Sequence, residues 1–357
     1  MLTPMQILVI GQQFPDSFAR NVSVTLAAMG HRVTTENGTK THHHGNRYWN
    51  AFWGSLNRGF PLLEKRSYEA LIRRAKALQP ELILVTNGLM PPRVVARLRE
   101  ECCATVACWF TDTISNLHRQ YLLASPFDAL FLKEPFMVRT FREKLGLNAH
   151  YLPEACNPRW HKPVEISNAE RAVYGCDVAA VGSFHYYRAR MLEGFEGYNL
   201  RIWGRNCPPW VSSPIKGRYT HHYVAEKEKA KAYRSAQIVV NTMLYSEIEG
   251  VNCTLFEAAG CGAFQIADWK LALPDLFVPD QEVVTFRTRS ELKEKVDYYL
   301  AHPEERREIA DRASARAHRE HTYAVRIEKM FAILGLRTAR LVPVADSEAF
   351  PVSVYQD

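Results

Sequence analysis

The stretch SEIEGVNCTLFEAAGCGAFQIAD, from Ser246 to Asp268, carries the pattern that predicts the fold of this 357-residue chain. It follows the apolar run QIVVNT, which is typical of a buried strand, and it ends in a second strand-like run, AFQIAD. Between them, the residues from about Val251 to Ala259 have helical spacing, and Gly260 or Gly262 is expected to end the helix. A strand, a helix and a strand in this order predict a parallel sheet covered by helices.

Two glutamates in this stretch, Glu249 and Glu257, stand eight positions apart. Glu249 lies in the loop after the first strand, and doubly wound sheets bind ligands at that end of their strands. Gly250 allows the backbone to approach a ligand closely, and the amides that open the helix are donors for a phosphate. A sugar nucleotide needs a carboxylate for the sugar, amides for the diphosphate and a second carboxylate for the ribose. The alternative is that both glutamates are solvated, but the apolar and small neighbours of Glu257 make an unpaired carboxylate there costly.

The alternation of strand-like and helical runs continues through the rest of the chain. It begins with QILVIG (Gln6–Gly11) and ARNVSVTLAAMG (Ala19–Gly30), stops at the proline-rich YLPEACNPRWHKP (Tyr151–Pro163) and restarts at CDVAAVGS. This predicts an α/β protein of two Rossmann-like, doubly wound domains that face a central cleft. We expect the domains to span residues 1–155 and 165–335, with a loosely structured tail over 336–357.

The composition narrows the class of protein and its partners. Hydrophobic residues make up 47% of the chain and charged residues 23%, as in ordinary globular proteins, and its apolar runs are too short to cross a bilayer. Eight cysteines without a C-x-x-C pair, and an N-terminus that does not read as a signal peptide, predict reduced thiols in the cytoplasm. A net charge of +7 fits an anionic small ligand or peripheral contact with an anionic membrane, and is weak evidence for nucleic acid. We therefore expect no nucleic-acid partner.

The first domain offers fewer candidates for chemistry. GQQFPDSFARN follows its first strand without the G-x-G-x-x-G of dinucleotide folds, which argues against NAD. Asp112, just past the strand CWF, is a candidate general base or ligand for a second substrate, and the alternative is a helix N-cap. Glu134 closes another strand and is a marginal candidate. Weaker candidates, for a loop beside that substrate or for stacking on it, are His42, His43, His44, Trp49, Trp53 and Trp109, although a core role is more common for tryptophan.

The motif around Glu249 and Glu257 resembles the Glu-x7-Glu motif of GT-B glycosyltransferases, in which a loop E-G precedes a helix carrying E-A-x-x-C-G. FEAAGCGAFQIAD is especially similar to the CgeB-like, or spore maturation protein, branch, as are YLPEACNP at the crossover and VGSFHYYRARML in the second domain. The resemblance covers most of Tyr151–Leu334. It implies a hexosyltransferase-type enzyme with an N-terminal acceptor domain and a C-terminal domain that binds the nucleotide-sugar donor.

The resemblance also implies roles for individual residues. Glu257 would bind the donor ribose and Glu249 would lie near the donor sugar, with Glu249 and Asp112 as the catalytic candidates. Glu247 leaves open which loop carboxylate faces the sugar. The remaining donor-binding candidates are Gly182, Ser183 and Arg188 (with Arg190 second) at the diphosphate, Arg205 at the next strand end, Tyr223 and Val224 at the base, and Gly250, Val251, Asn252 and Cys253 in the loop and helix start.

The chain contains no D-x-D sequence, which enzymes that hold a sugar nucleotide through a divalent metal usually need. We expect the helix start and arginines to neutralise the diphosphate instead, with no metal and no cofactor beyond the nucleotide sugar as co-substrate. A UDP-sugar is the favoured donor, and the acceptor could be a glycan, a protein or a small molecule. Two alternatives stay open: a sugar-nucleotide epimerase and a non-catalytic nucleotide-sugar-binding protein on the same fold.

Overall fold

A computed structural model describes residues 4–37, 61–117, 120–183, 185–204, 207, 209–336 and 353–354. By its internal contacts the chain forms two compact units. The first comprises Met1–Leu132, Met137–Leu152 and Ile327–Asp357, and the second comprises Lys133–Phe136 and Pro153–Arg326. The predicted crossover sequence YLPEACNPRWHKP thus contains the point at which the chain passes into the second unit.

The first unit is built on a seven-stranded parallel sheet in the order β12-β2-β1-β3-β4-β5-β6. Its central strands are continuous apolar runs, as expected where helices cover both faces of a parallel sheet. In β1, for example, Ile7, Leu8, Val9 and Ile10 are all buried. The strands are β1 (Gln6–Ile10), β2 (Arg32–Glu36), β3 (Leu82–Val85), β4 (Thr105–Phe110), β5 (Ala129–Leu132), β6 (Ala149–Tyr151) and β12 (Ser353–Val354).

The second unit is built on a five-stranded parallel sheet in the order β11-β10-β9-β7-β8. Here β9 pairs with β7 on one side and β10 on the other, so the segment between β9 and β10 lies at the middle of the sheet. The strands are β7 (Cys176–Val181), β8 (Leu200–Trp203), β9 (Ala236–Asn241), β10 (Gln265–Asp268) and β11 (Val284–Phe286).

Helices alternate with these strands along the described chain. In order they are α1 (Phe18–Ala28), α2 (Pro61–Leu78), α3 (Pro92–Cys102), α4 (Tyr121–Ala124), α5 (Pro135–Leu145), α6 (Asn168–Tyr174), α7 (Tyr186–Leu192), α8 (Glu226–Ser235), α9 (Cys253–Gly260), α10 (Arg289–Ala301), α11 (Pro303–Glu320) and α12 (Tyr323–Leu334). None of the helices in the described residues is long and apolar enough to cross a membrane.

The predicted fold class, α/β with two Rossmann-like, doubly wound sheets, is confirmed. The structure adds short elements that the sequence pattern did not reveal. Strand β6 has three residues, and α6 is a seven-residue helix with no buried residue, held by the capping box of Ser167 and Glu170. In the tail that was predicted to be loosely structured, β12 pairs with β2 over two residues, too few for a periodic signal.

Candidate functional site

The loop after β9 contains Glu249, the first of the two motif glutamates, together with Glu247. Glu247 is buried, and its Oε1 lies 2.6 Å from Nζ of Lys133 while its Oε2 accepts the Leu244 amide at 2.9 Å. Burial opposes the charge of Lys133, but the carboxylates of Glu247 and Glu154 raise the pKa of Lys133 above its usual value. Both Glu247 oxygens are thus occupied in holding the loop. Glu249, in contrast to the buried Glu247, is half-buried.

Glu257 lies in the second turn of α9 and is 3% exposed, so the sequence argument for its burial is confirmed. Its Oε2 lies 3.0 Å from Nζ of Lys229, a buried residue of α8. Sequence reasoning missed this partner because Lys229 lies in the charge-rich run EKEKAKAY, which resembles an ordinary solvated helix face. The ion pair gives this buried carboxylate a partner, without which its burial would be costly.

The start of α9 is two residues later than predicted, at Cys253, with the side chain of Asn252 accepting the Leu255 amide as N-cap. Within the described residues, no hydrogen bond is made by the amides of Val251, Cys253 or Thr254. Free amides at a helix N-terminus form an anion site together with the helix dipole. The carboxyl end of α9 closes as expected, with Gly262 at a φ of 67° and its amide bonded to the Ala259 carbonyl.

The sequence predicts that Gly250 lets the backbone approach a ligand closely. In the structure its close neighbours are Lys133 and Glu134 of the same chain. A Cβ on Gly250 would lie 2.5 Å from the carbonyl oxygen of Lys133, which no side chain could tolerate. Its amide donates to Oε2 of Glu134 at 3.1 Å. Glycine at this position therefore lets the loop pack against the segment that begins with Lys133.

Arg188, on α7 after β7, is a buried cation. Its Nε donates to Oγ1 of Thr242 at 3.0 Å, and an Nη donates to the carbonyl of Ser183 at 2.7 Å. Burial lowers the pKa of Arg188. Among the described residues no carboxylate forms an ion pair with it, so an incoming anion would remove the cost of its burial. Arg190, in contrast, is exposed and pairs with Glu193, which makes Arg188 the better of the two candidates.

Gly182 and His185 shape the turn that leads to Arg188. Gly182 has a φ of 124°, a conformation that favours glycine, and a Cβ there would lie 3.0 Å from a guanidinium nitrogen of Arg188. Nδ1 of His185 accepts the Arg188 amide at 3.0 Å as the N-cap of α7. Burial, with a smaller effect of the Arg188 charge, lowers the pKa of His185 to about 4, so the ring is neutral at pH 7.

The charged groups converge on the first residue of α9. Cys253 lies within electrostatic range of Glu257, Glu154, Lys229 and Lys133, and burial together with Glu257 raises the pKa of its thiol well above the usual value. The thiol is therefore protonated at neutral pH and is no nucleophile. Arg188 lies within the same range of Cys253, so Arg188 and Glu257 are both near the start of α9.

In the loop before α8, Tyr223 is exposed and Val224 is buried in a core cluster. Asp112 belongs to the first unit and is exposed, and its Oδ1 accepts the Thr113 amide and Nδ2 of Asn116, both at 2.8 Å. The N-cap of the short 3-10 turn Ile114–Asn116 is Thr113, without a side-chain capping hydrogen bond, so Asp112 is not the N-cap that the alternative expected.

Trp109 has the core role that is common for tryptophan: it is fully buried, packs edge-on against Phe18 and donates Nε1 to the Leu152 carbonyl. The candidates that lie outside the described residues are Arg205, His42, His43, His44, Trp49 and Trp53.

Comparison with known proteins extends this picture. A family model described as "Glycosyl transferase-like" matches residues 187–332, a range that contains Glu249 and Glu257. The spore protein CgeB of Bacillus subtilis (strain 168) is 22% identical over 269 residues, which cover 70% of this chain and 81% of that protein.

Solved structures with the same fold cover nearly the whole chain. Sucrose-phosphate synthase from Thermosynechococcus elongatus has a TM-score of 0.66 at 15% identity, and the match covers 92% of this chain and 98% of that one. The Anabaena protein HepE in complex with UDP-glucose has a TM-score of 0.62 at 11% identity, with 93% and 99% covered. The chain is therefore similar to CgeB-like glycosyltransferases, and its fold is the GT-B fold.

Proposed function

We propose that this glycosyltransferase transfers a sugar from a nucleotide-diphosphate sugar, with a UDP-sugar favoured, to a glycan, protein or small-molecule acceptor, without a divalent metal. The observation that carries the proposal is Arg188: a buried guanidinium whose described hydrogen-bond partners are both neutral. HepE has the same fold and was solved with UDP-glucose, which supports a UDP-sugar as the donor proposed here.

The roles of the donor-site residues follow from their contacts. Arg188 and the amides at the start of α9 would neutralise the diphosphate, as the metal does in enzymes with a D-x-D sequence. Glu257, held by Lys229, would accept the ribose hydroxyls, and Glu249 would accept hydroxyls of the donor sugar. Gly182 and Ser183 would line the diphosphate, and Tyr223 and Val224 the base.

Asp112 is the proposed general base toward the acceptor hydroxyl. Its exposure leaves it accessible to an acceptor, and Asn116 and Thr113 fix its carboxylate on one oxygen. The second oxygen, Oδ2, would then take the proton.

The test of the donor is a thermal-shift screen of the protein with UDP-, GDP-, dTDP- and CMP-sugars. We expect the largest rise in Tm with a UDP-sugar, because a ligand that binds only the folded state stabilises it. The sugar nucleotide that passes this screen is then incubated alone and with pooled glycan, peptide and small-molecule acceptors. An isomerised sugar nucleotide formed without acceptor would favour an epimerase, and no stabilisation by any of the sugar nucleotides would contradict donor binding.

A further inference from the structure

The segment Lys133–Phe136 is the one part of the chain before Pro153 that groups with the second unit. It follows β5, and the side chain of Glu134 within it is 1% exposed. The sequence marks Glu134 only as a marginal candidate at the end of a strand, and it does not reveal the contact with a loop 114 positions away.

The Glu134 carboxylate accepts hydrogen bonds from three consecutive amides of the loop after β9. Its Oε2 accepts from Ile248 at 2.9 Å and from Gly250 at 3.1 Å, and its Oε1 accepts from Glu249 at 3.0 Å. Successive amides that point to one place form a concavity for an anion, and here the anion is part of the chain.

These bonds determine the backbone at Glu249. Its own amide and that of Gly250 are held by Glu134, and its carbonyl accepts the Ala272 amide at 3.0 Å. The peptide groups on both sides of the Glu249 Cα are therefore fixed, and with them the direction in which its side chain leaves the backbone.

The neighbouring Lys133 holds the same loop at Glu247, just before residues 248–250. Its ion pair with Glu247 is buried, and Glu247 in turn accepts the Leu244 amide. The Glu247 carbonyl also accepts a hydrogen bond from Nζ of Lys270. Buried charges on the two sides of Glu249 thus hold the whole loop, while the Glu249 side chain itself stays half-buried.

We infer that Glu134 is a positioning residue for the donor sugar: through the amides of residues 248–250 it holds Glu249 in the orientation that turnover requires. This inference rests on the proposed role of Glu249 at the donor sugar. Because Glu134 makes no contact with Glu257 or Arg188 among the described hydrogen bonds, it should act on sugar transfer and not on nucleotide binding.

The test compares Glu134→Ala and Glu134→Gln with the wild-type chain. In the alanine variant we expect turnover of the UDP-sugar to fall on the order of a hundredfold, as small displacements of a positioned group do, with the Kd for UDP unchanged within about twofold. Acetate replaces the lost carboxylate group in size and charge and should restore part of the turnover. The glutamine variant keeps the volume, but its NH2 group faces a backbone donor, so it should lose turnover without rescue by acetate.

Glu282→Ala is the matched control. Glu282 also accepts a backbone amide, that of Val278 at 2.7 Å, and pairs with Arg316, but it lies outside the loop and α9. The Glu282→Ala variant should be less stable than the wild type, and acetate should not change its turnover. A fall in UDP affinity that parallels the loss of stability in Glu134→Ala, or turnover that acetate does not restore, would overturn the inference.

Hydrogen exchange of the peptide containing residues 248–250 separates this inference from the proposed function, because it needs no substrate. We expect faster exchange in Glu134→Ala and recovery of protection with acetate. Unchanged exchange would overturn the inference whatever the activity. If the wild-type chain turns over no sugar nucleotide while the exchange result holds, the proposed donor fails and the positioning of the loop by Glu134 stands.

Discussion

Glu249 and Glu257 stand in one short segment, but the fold holds them in different ways. Glu257 is held by its side chain, buried beside Lys229 at 3.0 Å. Glu249 is held by its backbone, through Glu134 and Ala272, and keeps a half-buried side chain. Glu257, which Lys229 holds in one position, suits a group that stays the same throughout the reaction, such as the ribose of the donor. Glu249, with its backbone held by Glu134 and Ala272, suits a group that changes during the reaction, as a transferred sugar does.

The largest effect is expected at Asp112, the third carboxylate, which lies outside this pair. Asp112→Asn should lower turnover by roughly a hundred- to ten-thousandfold, as the loss of a general base does, while the Kd for UDP stays the same. Initial rates and a UDP titration of the same preparation measure both quantities. Unchanged turnover would mean that Asp112 only holds Thr113 and Asn116 in place and takes no part in the transfer.

Removing the cation beside Glu257 should reduce stability strongly. Lys229→Met leaves a buried, unpaired carboxylate, and breaking such a pair costs about 3–5 kcal/mol in the free energy of unfolding. Urea denaturation measures this change. The double variant Lys229→Met with Glu257→Gln removes both charges and should recover much of the stability without recovering UDP affinity. Equal stability of the single variant and the wild type would mean that Glu257 needs no partner.

Arg188→Met should weaken the binding of the nucleotide. Loss of a buried charge that pairs with the ligand costs about 2–5 kcal/mol, so the Kd for UDP should rise from tens- to thousands-fold. Arg190→Met, on the same helix but exposed and paired with Glu193, is the control and should bind UDP like the wild type. If the two variants lose affinity equally, Arg188 has no special role at the diphosphate.

The smallest effect is expected from chelation. If Arg188 and the start of α9 neutralise the diphosphate, EDTA treatment should leave turnover unchanged within about twofold. Activity that disappears with EDTA and returns with Mg²⁺ or Mn²⁺ would refute metal independence.

The sequence predicted what depends on neighbours along the chain. The alternation of elements, the helix carrying Glu257 and the burial of Glu257 all follow from local periodicity and from the apolar run TLFEAAGC. The partners did not follow, because Lys229 is 28 positions from Glu257 and Glu134 is 114 to 116 positions from the loop amides. Only the fold brings those residues together. The sequence left the choice between Glu247 and Glu249 open for the same reason, because the partner of Glu247 is Lys133, which lies on another part of the chain.

The measurement that tests the central claim most directly is a calorimetric titration of UDP alone into Glu257→Ala and Glu249→Ala. A hydrogen bond to a charged group contributes about 1.5–3 kcal/mol, so Glu257→Ala should weaken UDP binding roughly ten- to a hundredfold. Glu249→Ala should bind UDP with nearly wild-type affinity, because UDP carries no sugar, and should lose turnover of the full donor instead. If both variants weaken UDP binding equally, or if neither does, the assignment of Glu257 to the ribose and Glu249 to the sugar is wrong.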